Sequence, residues 1–494
     1  MVQGKNRMKY FYTVGKTTAL LISCLLFSAA IYAEDGKKGQ KKDDQEKPDK
    51  KATVLIMRDE EMKKELFQGK ELVGCPSASS ITVNVVLNSA AEIFYEYGTE
   101  PGKYSVKTKL QNSPANTPIN TLLDELKPDV KYYYRLSYRT DKNDFIKREE
   151  HSFQTLRNPG STFTFVVEAD PHLDENSEPA IYKSALKSIG AGKPDFLIDL
   201  GDTFMSDKLE EPTYENIEDR VLLFRNYFDS ICHSIPLFLV LGNHEGEAGW
   251  PDKKTGNRIC GWDEKARTRY FLNPLPGGSY TGNAEKNSNY YAFTSGDALF
   301  VAIDPYRYTP DKPGKNSSDG WGWTLGKTQY LWLKETLEKS RAKYKFVFGH
   351  QLVGGNEEGR GGAEFAGLYE WGGLNKDGSN GFESKRPGWG KPIHKLLVDT
   401  GVNIFFHGHD HFFAKQEKDG VIYQEVPQPS CRNTREPRQA EEYGYKDGII
   451  QGNSGYLRVS VSPENAGVDY IRFLNSSSIG EVSYSYSFKS KNKE

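Results

Sequence analysis

Apolar positions change their spacing along this chain, and each change predicts a different kind of structure. From about residue 52 to 157 they come in short alternating runs, "SSITVNVVL", "AEIFYEYGT", "VKYYYRLSYRT" and "EEHSFQTL". A period of two, with turn residues between runs as in "GTEPGK" and "LKPDVK", predicts several short strands and an all-β sandwich. From Ser161 the apolar runs become continuous and alternate with segments of helical period. "TFTFVV" is followed by "PAIYKSALKSIGA", "PDFLIDL" by "YENIEDRVLLFRNYFDSI", and then comes "PLFLVL". "NYYAFTSGDALFVAID" predicts two strands joined by a Gly-Asp turn. The helix "GKTQYLWLKETLEKSRA" leads to the strand "YKFVF", and the helix "PIHKLLVDTG" to "VNIFF". This alternation predicts an α/β layered domain over residues 161–494. After about residue 420 short strands return ("VIYQEV", "YLRVSV", "VDYIRFL"), and these C-terminal strands are expected to complete a second sheet.

The first 51 residues follow neither pattern. Lys5, Arg7, Lys9 and Lys16, with no acid among them, precede the apolar run "TTALLISCLLFSAAIYA", which ends in small residues before Glu34. That shape predicts a signal peptide over residues 1–33, too short and wrongly flanked for a stable membrane span. The mature protein is then expected to be secreted, periplasmic or at the cell surface. "LISC" at 21–24 offers a membrane tether through a lipidated Cys24, although the residues after Cys24 stay apolar where a lipoprotein turns polar. Residues 34–51, "EDGKKGQKKDDQEKPDKK", cannot bury apolar surface and are expected to form a disordered charged linker. The 494 residues are enough for two or three cores, and a net charge of −2 gives no basic footprint for nucleic acid. Cys75, Cys232, Cys260 and Cys431 are too few and scattered for a disulfide framework; buried thiols with at most one bridge are expected.

The polar residues that end the core strands carry the chemistry. "TFTFVVEADPH" presents Asp170 and His172, "FLIDLGD" Asp202, "LFLVLGNHE" Asn243 and His244, "YKFVFGH" His350, and "VNIFFHGHDH" His409 and His411. Open α/β sheets form their sites beyond the carboxyl ends of strands. One such motif is commonplace; five in succession, in a chain with 9 histidines, are not. The set resembles the calcineurin-like metallophosphoesterase superfamily over about residues 161–420. The order of elements in 52–157 resembles the fibronectin type III-like module found ahead of purple acid phosphatase-type domains.

The resemblance implies a metallophosphoesterase β-sandwich flanked by helices, with two divalent transition-metal ions (Mn, Fe, Zn or Co) and a small phosphorylated substrate. Carried over by position, it assigns Asp170, His172 and His411 to one ion and Asn243, His350 and His409 to the other. Asp202 bridges both, and His244 sits above the phosphorus. The implied reaction is hydrolysis of phosphomonoesters or small phosphodiesters by a hydroxide shared between the ions. The physics agrees: two cations about 3.5–4 Å apart clamp both the attacking and the departing oxygen. A carboxylate between them offsets their repulsion. Purple acid phosphatases lack the first-motif histidine and carry a tyrosine three residues after the bridging aspartate. Here His172 is present and Met205 occupies the tyrosine position, so a tyrosinate–iron(III) site is not expected. Oxygen and imidazole donors without thiolate suit manganese, iron(II), zinc or cobalt.

Other residues are read more plainly. His407, His151, His233 and His394 are expected to be structural or supporting, and Asp174 a loop carboxylate. Glu245 either orients His244 or lies at the surface. The insert from Gly354 to Trp389 is expected to overhang the site, with Arg360, Arg386, Trp371 and Trp389 as candidates for gripping substrate. Residues 305–323 are expected as the opposite rim. Competing readings are a nucleotide or lipid-head-group phosphodiesterase, and a non-catalytic surface-binding protein. A metallo-β-lactamase-type hydrolase, whose H-x-H-x-D-H signature "HGHDH" misses by one residue, also competes.

Overall fold

The computed structural model describes residues 55–245, 259–282, 289–310, 319–356, 359–435 and 437–491. The expected signal peptide, Cys24 and the expected linker lie outside the described residues. No helix among the described residues is long and apolar enough to cross a membrane.

The N-terminal module is all-β. A three-stranded antiparallel sheet (Leu72–Gly74, Ile81–Val85, Ile119–Leu123) faces a second sheet built on Ala91–Gly98 and Lys131–Arg139. Val83, Val85, Ile93, Tyr95, Tyr134 and Leu136 bury themselves between the two, as period-two patterning requires. This two-sheet arrangement is consistent with a fibronectin-like module.

The second region opens with β1 (Phe163–Glu168), α1 (Pro179–Gly192), β2 (Leu197–Asp199), α2 (Tyr214–Cys232) and β3 (Leu237–Leu239). It continues with α3 (Ile259–Tyr270), β4 (Tyr291–Ser295), β5 (Ala298–Ala302), α4 (Gly326–Lys339), β6 (Tyr344–Phe348), α5 (Ile393–Asp399) and β7 (Ile404–His407). The C-terminal strands are β8 (Phe413–Lys418), β9 (Val421–Glu425), β10 (Ile449–Gln451), β11 (Gly455–Val461), β12 (Ala466–Arg472) and β13 (Glu481–Phe488). One sheet runs β3-β2-β1-β11-β12-β13; the other runs from the short strand Thr281–Gly282 through β4-β5-β6-β7-β9-β8-β10. Strands β1 to β3 are mutually parallel, as are β5, β6, β7 and β9.

Alternation of side chains along each strand explains the layering. Phe165, Ile198, Phe238, Phe300, Phe346 and Phe406 point between the sheets. Val166, Leu197 and Leu237 face α1 and α2, while Val301, Val347 and Phe405 face α4 and α5. The result is helix, sheet, sheet, helix. The C-terminal strands correct one expectation: they do not complete a single second sheet. Strands β8 to β10 extend one sheet, and β11 to β13 extend the other from the free edge of β1. Helix α3 was not legible, because "ICGWDEKARTRY" has little apolar periodicity.

The two regions are joined by buried polar contacts. Arg225 of α2 donates to the carbonyls of Gln68 and Asn84 in the module and Tyr270 in α3, at 2.8–3.2 Å. His151 of the module stacks on His233 with ring centres 4.1 Å apart, and Tyr134 donates to the His233 carbonyl at 2.7 Å. No disulfide joins any two of Cys75, Cys232, Cys260 and Cys431.

Candidate metal centre

All five motifs follow the carboxyl ends of parallel strands: β1, β2 and β3 in one sheet, β6 and β7 in the other. Because the two sheets stack with these ends on the same side, ligands far apart in sequence meet at one edge. Asp170, His172 and His411 form one group of mutually close donor atoms, and Asp202, His350 and His409 a second, each within 4.8 Å. Asn243 joins the second group, its Oδ1 lying 3.2 Å from His350 Nε2. Asp202 Oδ2 lies between the groups, 3.2 Å from His350 Nε2 and 3.9 Å from His172 Nε2.

The backbone is bent to achieve this. Asp170, His172, Asp202, His409 and His411 all have φ between 50° and 77°, a region costly for residues with a Cβ and concentrated at functional sites. Two glycines make room. A Cβ on Gly242 would stand 2.1 Å from Asp202 Oδ1, and one on Gly408 would stand 2.5 Å from Asp170 Oδ2. Both motifs therefore require glycine beside a carboxylate.

The donor set fits cations. Asp170 Oδ1, His172 Nε2 and both ring nitrogens of His409 are buried without a hydrogen-bond partner. Native proteins rarely leave such atoms unsatisfied. Oxygen and imidazole donors separated by 3.2–3.9 Å are spaced as ligands of one small ion about 2.0–2.2 Å from each. Charge points the same way. Burial opposes ionisation of Asp202, but His350 and His244 hold its carboxyl well below the usual range. Burial likewise opposes a charged His172, yet Asp170, Asp174 and Asp202 lift it to about 10. Burial, with Arg360 and His350 beside it, pushes His409 well below its ordinary value, so it stays a neutral donor. Burial opposes a charged His350 too, yet Asp202 and Asp170 lift it to about 9; imidazoles that gather protons in a carboxylate field occupy positions where a metal ion can replace those protons.

The supporting groups are where sequence reading fell short. Asp174 is no plain loop carboxylate: it is buried, and its Oδ2 lies 3.4 Å from His172 Nδ1, fixing that ring so that Nε2 faces the ligands. His350 is fixed similarly, by Nδ1 at 3.0 Å from the Leu200 carbonyl. Asp174→Asn is expected to weaken cation binding ~10–100-fold, read by metal titration of the folded variant. Unchanged affinity would show that His172 needs no such partner.

Glu245 neither orients His244 nor lies at the surface. It is buried and accepts the backbone N–H groups of Asp202, Phe204 and Gly242 at 2.7–3.1 Å, anchoring the loop that carries Asp202. The partner of His244 is Asp207, 2.8 Å from its Nδ1, which leaves Nε2 3.8 Å from Asp202 Oδ2. Arg220, buried in α2, donates to the carbonyls of Phe204, His172 and Ile56, clasping two ligand loops and the N-terminal segment. No local signal marks it, since it reads as one more polar residue of an amphipathic helix.

The insert candidates all engage protein partners. Arg360 donates to the His409 carbonyl and, at 3.1 Å, to Asp410, so it braces a ligand loop. Arg386 is engaged by buried Glu370 and the Trp321 and Trp323 carbonyls. Trp389 packs on Tyr330, and Trp371 is core, donating to Tyr423 at 2.8 Å. Of the expected opposite rim, residues 311–318 lie outside the described residues, and Tyr306 is buried, donating to Gln351 at 3.0 Å. His407 is buried, its Nδ1 2.7 Å from Glu425.

Comparison with known proteins accords with this geometry. No curated sequence matches the chain. The solved structure of PhoD is similar in fold, with a TM-score of 0.63 and 18% identity, covering 86% of this chain and 90% of that one. The purple acid phosphatase PPD1 from yellow lupin (Lupinus luteus) seeds has a TM-score of 0.59 and 15% identity, covering 85% and 74%. The family model for the calcineurin-like phosphoesterase matches residues 163–413, from the first core strand to just past the fifth motif. Spanning more than half of the sequence and every strand end that carries a candidate ligand, that match establishes that the chain belongs to the calcineurin-like phosphoesterase family, a family of phosphoric ester hydrolases.

Proposed function

We propose that this protein is an exported binuclear metallophosphoesterase hydrolysing phosphomonoesters or small phosphodiesters. One observation carries the reading: two clusters of close donor atoms, among them Asp170 Oδ1, His172 Nε2 and both ring nitrogens of His409 buried without a hydrogen-bond partner, lie on either side of Asp202. Asp170, His172 and His411 would hold one cation, and Asn243, His350 and His409 the other, with Asp202 common to both. Bound there, a cation pair supplies a hydroxide nucleophile near neutral pH and neutralises the charge that builds on a phosphoryl group. The chain's own part is orientation and proton management. Asn243 offers a neutral oxygen, which limits negative charge facing an anionic substrate. His244, held by Asp207 through Nδ1, turns Nε2 towards the same edge, where it can hydrogen-bond a phosphoryl oxygen or protonate a departing alkoxide. The charged, then apolar, pattern of residues 1–33 supports export.

The test is phosphate release by the protein reconstituted with Mn, Fe(II), Zn or Co, against a panel of monoesters and diesters. Metal analysis is run alongside. About two ions per chain and metal-dependent release are expected; no bound metal in any condition would end the proposal. His244→Ala is expected to slow an alkyl ester ~10²–10⁴-fold and p-nitrophenyl phosphate far less, because only the alkoxide needs a proton. Equal losses on both would confine His244 to binding the phosphoryl group.

A further inference from the structure

Away from the metals, a cavity of about 930 Å³ opens where the N-terminal module meets α1 and the end of α2. It is remote from the metal centre by topology. Its walls include Lys193–Asp195 and Ser234–Ile235, the segments that enter β2 and β3, whereas the metal ligands follow the opposite ends of those strands. Its volume is that of a site for a small organic molecule, about 300–1,000 Å³. Nothing in the phosphoesterase chemistry uses it.

The lining is of two kinds. Leu186, Tyr227, Ile231 and Ile235 from the catalytic side and Phe153 from the module make an apolar floor. Lys131, Lys183, Lys187 and Lys193 stand around it. All four are exposed, and among the described residues none is in an ion pair; Lys183 lies over the Tyr227 ring at 5.6 Å and Lys131 over Tyr133 at 5.3 Å. The other charged groups are accounted for. Arg157 and Asp195 neutralise each other through bonds of 2.5 and 2.8 Å. Asp229 accepts the Lys70 N–H at 2.8 Å, and burial raises its carboxyl to about 6. His233 is held neutral by burial, at about 4. Cations therefore outnumber anions by three in a cleft whose floor is apolar.

We propose that this cleft is a second binding site, for an amphiphilic anion: a carboxylate or similar head on an apolar chain. The apolar floor takes the chain, since burying hydrocarbon is favourable at ~25 cal/mol per Å². The lysines take the head, each as a mobile point charge. A polar anion would leave the floor unused, and a neutral or cationic amphiphile would leave the lysines uncompensated.

Dodecanoate below its micelle concentration is the probe, titrated calorimetrically into the intact metal-loaded protein. One saturable site per chain is expected, at least ~10-fold tighter than for acetate, which has the head alone, or for dodecyltrimethylammonium, which has the chain alone. Lys183→Glu/Lys187→Glu, at exposed positions, is expected to weaken binding ~10-fold or more and to steepen its loss with salt. Ser230→Trp, which plugs the cleft from an exposed position, is expected to abolish it. No saturable binding, equal binding of the cationic amphiphile, or parental affinity in both folded variants would each overturn the proposal. Because the readout is binding, its failure leaves the phosphoesterase reading untouched.

Discussion

Asp202→Asn is expected to lower phosphate-ester turnover by ~10³-fold or more and to disturb both cation positions rather than one. Even outer partners of metal ligands are worth ~10–100-fold, and in the proposed binuclear centre Asp202 would serve both cations. Its Oδ2 lies 3.2 Å from His350 Nε2 and 3.9 Å from His172 Nε2, while Oδ1 accepts the His244 N–H at 2.9 Å. An amide keeps the shape and the hydrogen bond to His244, and asparagine tolerates the positive φ of this position. What it removes is the negative charge that would lie between the two proposed dications, whose repulsion would then be unrelieved. Metal content by mass spectrometry is the decisive readout. His409→Ala should deplete one ion, whereas Asp202→Asn should deplete both. Two tightly bound ions in Asp202→Asn would mean that another group is shared between them.

Arg220→Met is expected to cost about 3 kcal/mol or more of folding stability, because buried carbonyls on three segments lose their donor. Its guanidinium is fully buried and makes no ion pair among the described residues; it donates instead to carbonyls of three separate segments. Burial lowers its pKa to about 9, with Asp174 and Glu245 partly offsetting the effect. Methionine fills the volume but leaves the Phe204, His172 and Ile56 carbonyls without a donor, each costing about 1–3 kcal/mol before relaxation. Denaturant unfolding measures the loss. Arg220→Lys, which keeps the charge but not the fork, should recover only part of it. A loss below 1 kcal/mol in Arg220→Met would show that water or another donor replaces the guanidinium. The same variant should weaken cation binding, because the carbonyl it releases belongs to His172, a proposed ligand.

The sequence by itself determined the layered α/β region, the all-β module before it and the strand ends where the ligand motifs sit. These are local properties: a buried strand is a continuous apolar run, and its motif follows within a few residues, so both lie in one short window. What only the tertiary structure decided involves partners distant along the chain. Asp207 reaches His244 across 37 positions, and Arg220 reaches the His172 carbonyl across 48. Glu245 turns inward to Asp202, and Arg360, Arg386 and Trp389 turn to protein partners. The division of the C-terminal strands between two sheets is of the same kind, because β11 carries the apolar pattern of any half-buried strand. Its place beside β1 depends on which sheet edge is left open once the rest has folded. Periodicity encodes which face of an element is buried; it does not encode what lies against that face, and the positioning of the candidate ligands rests on the latter.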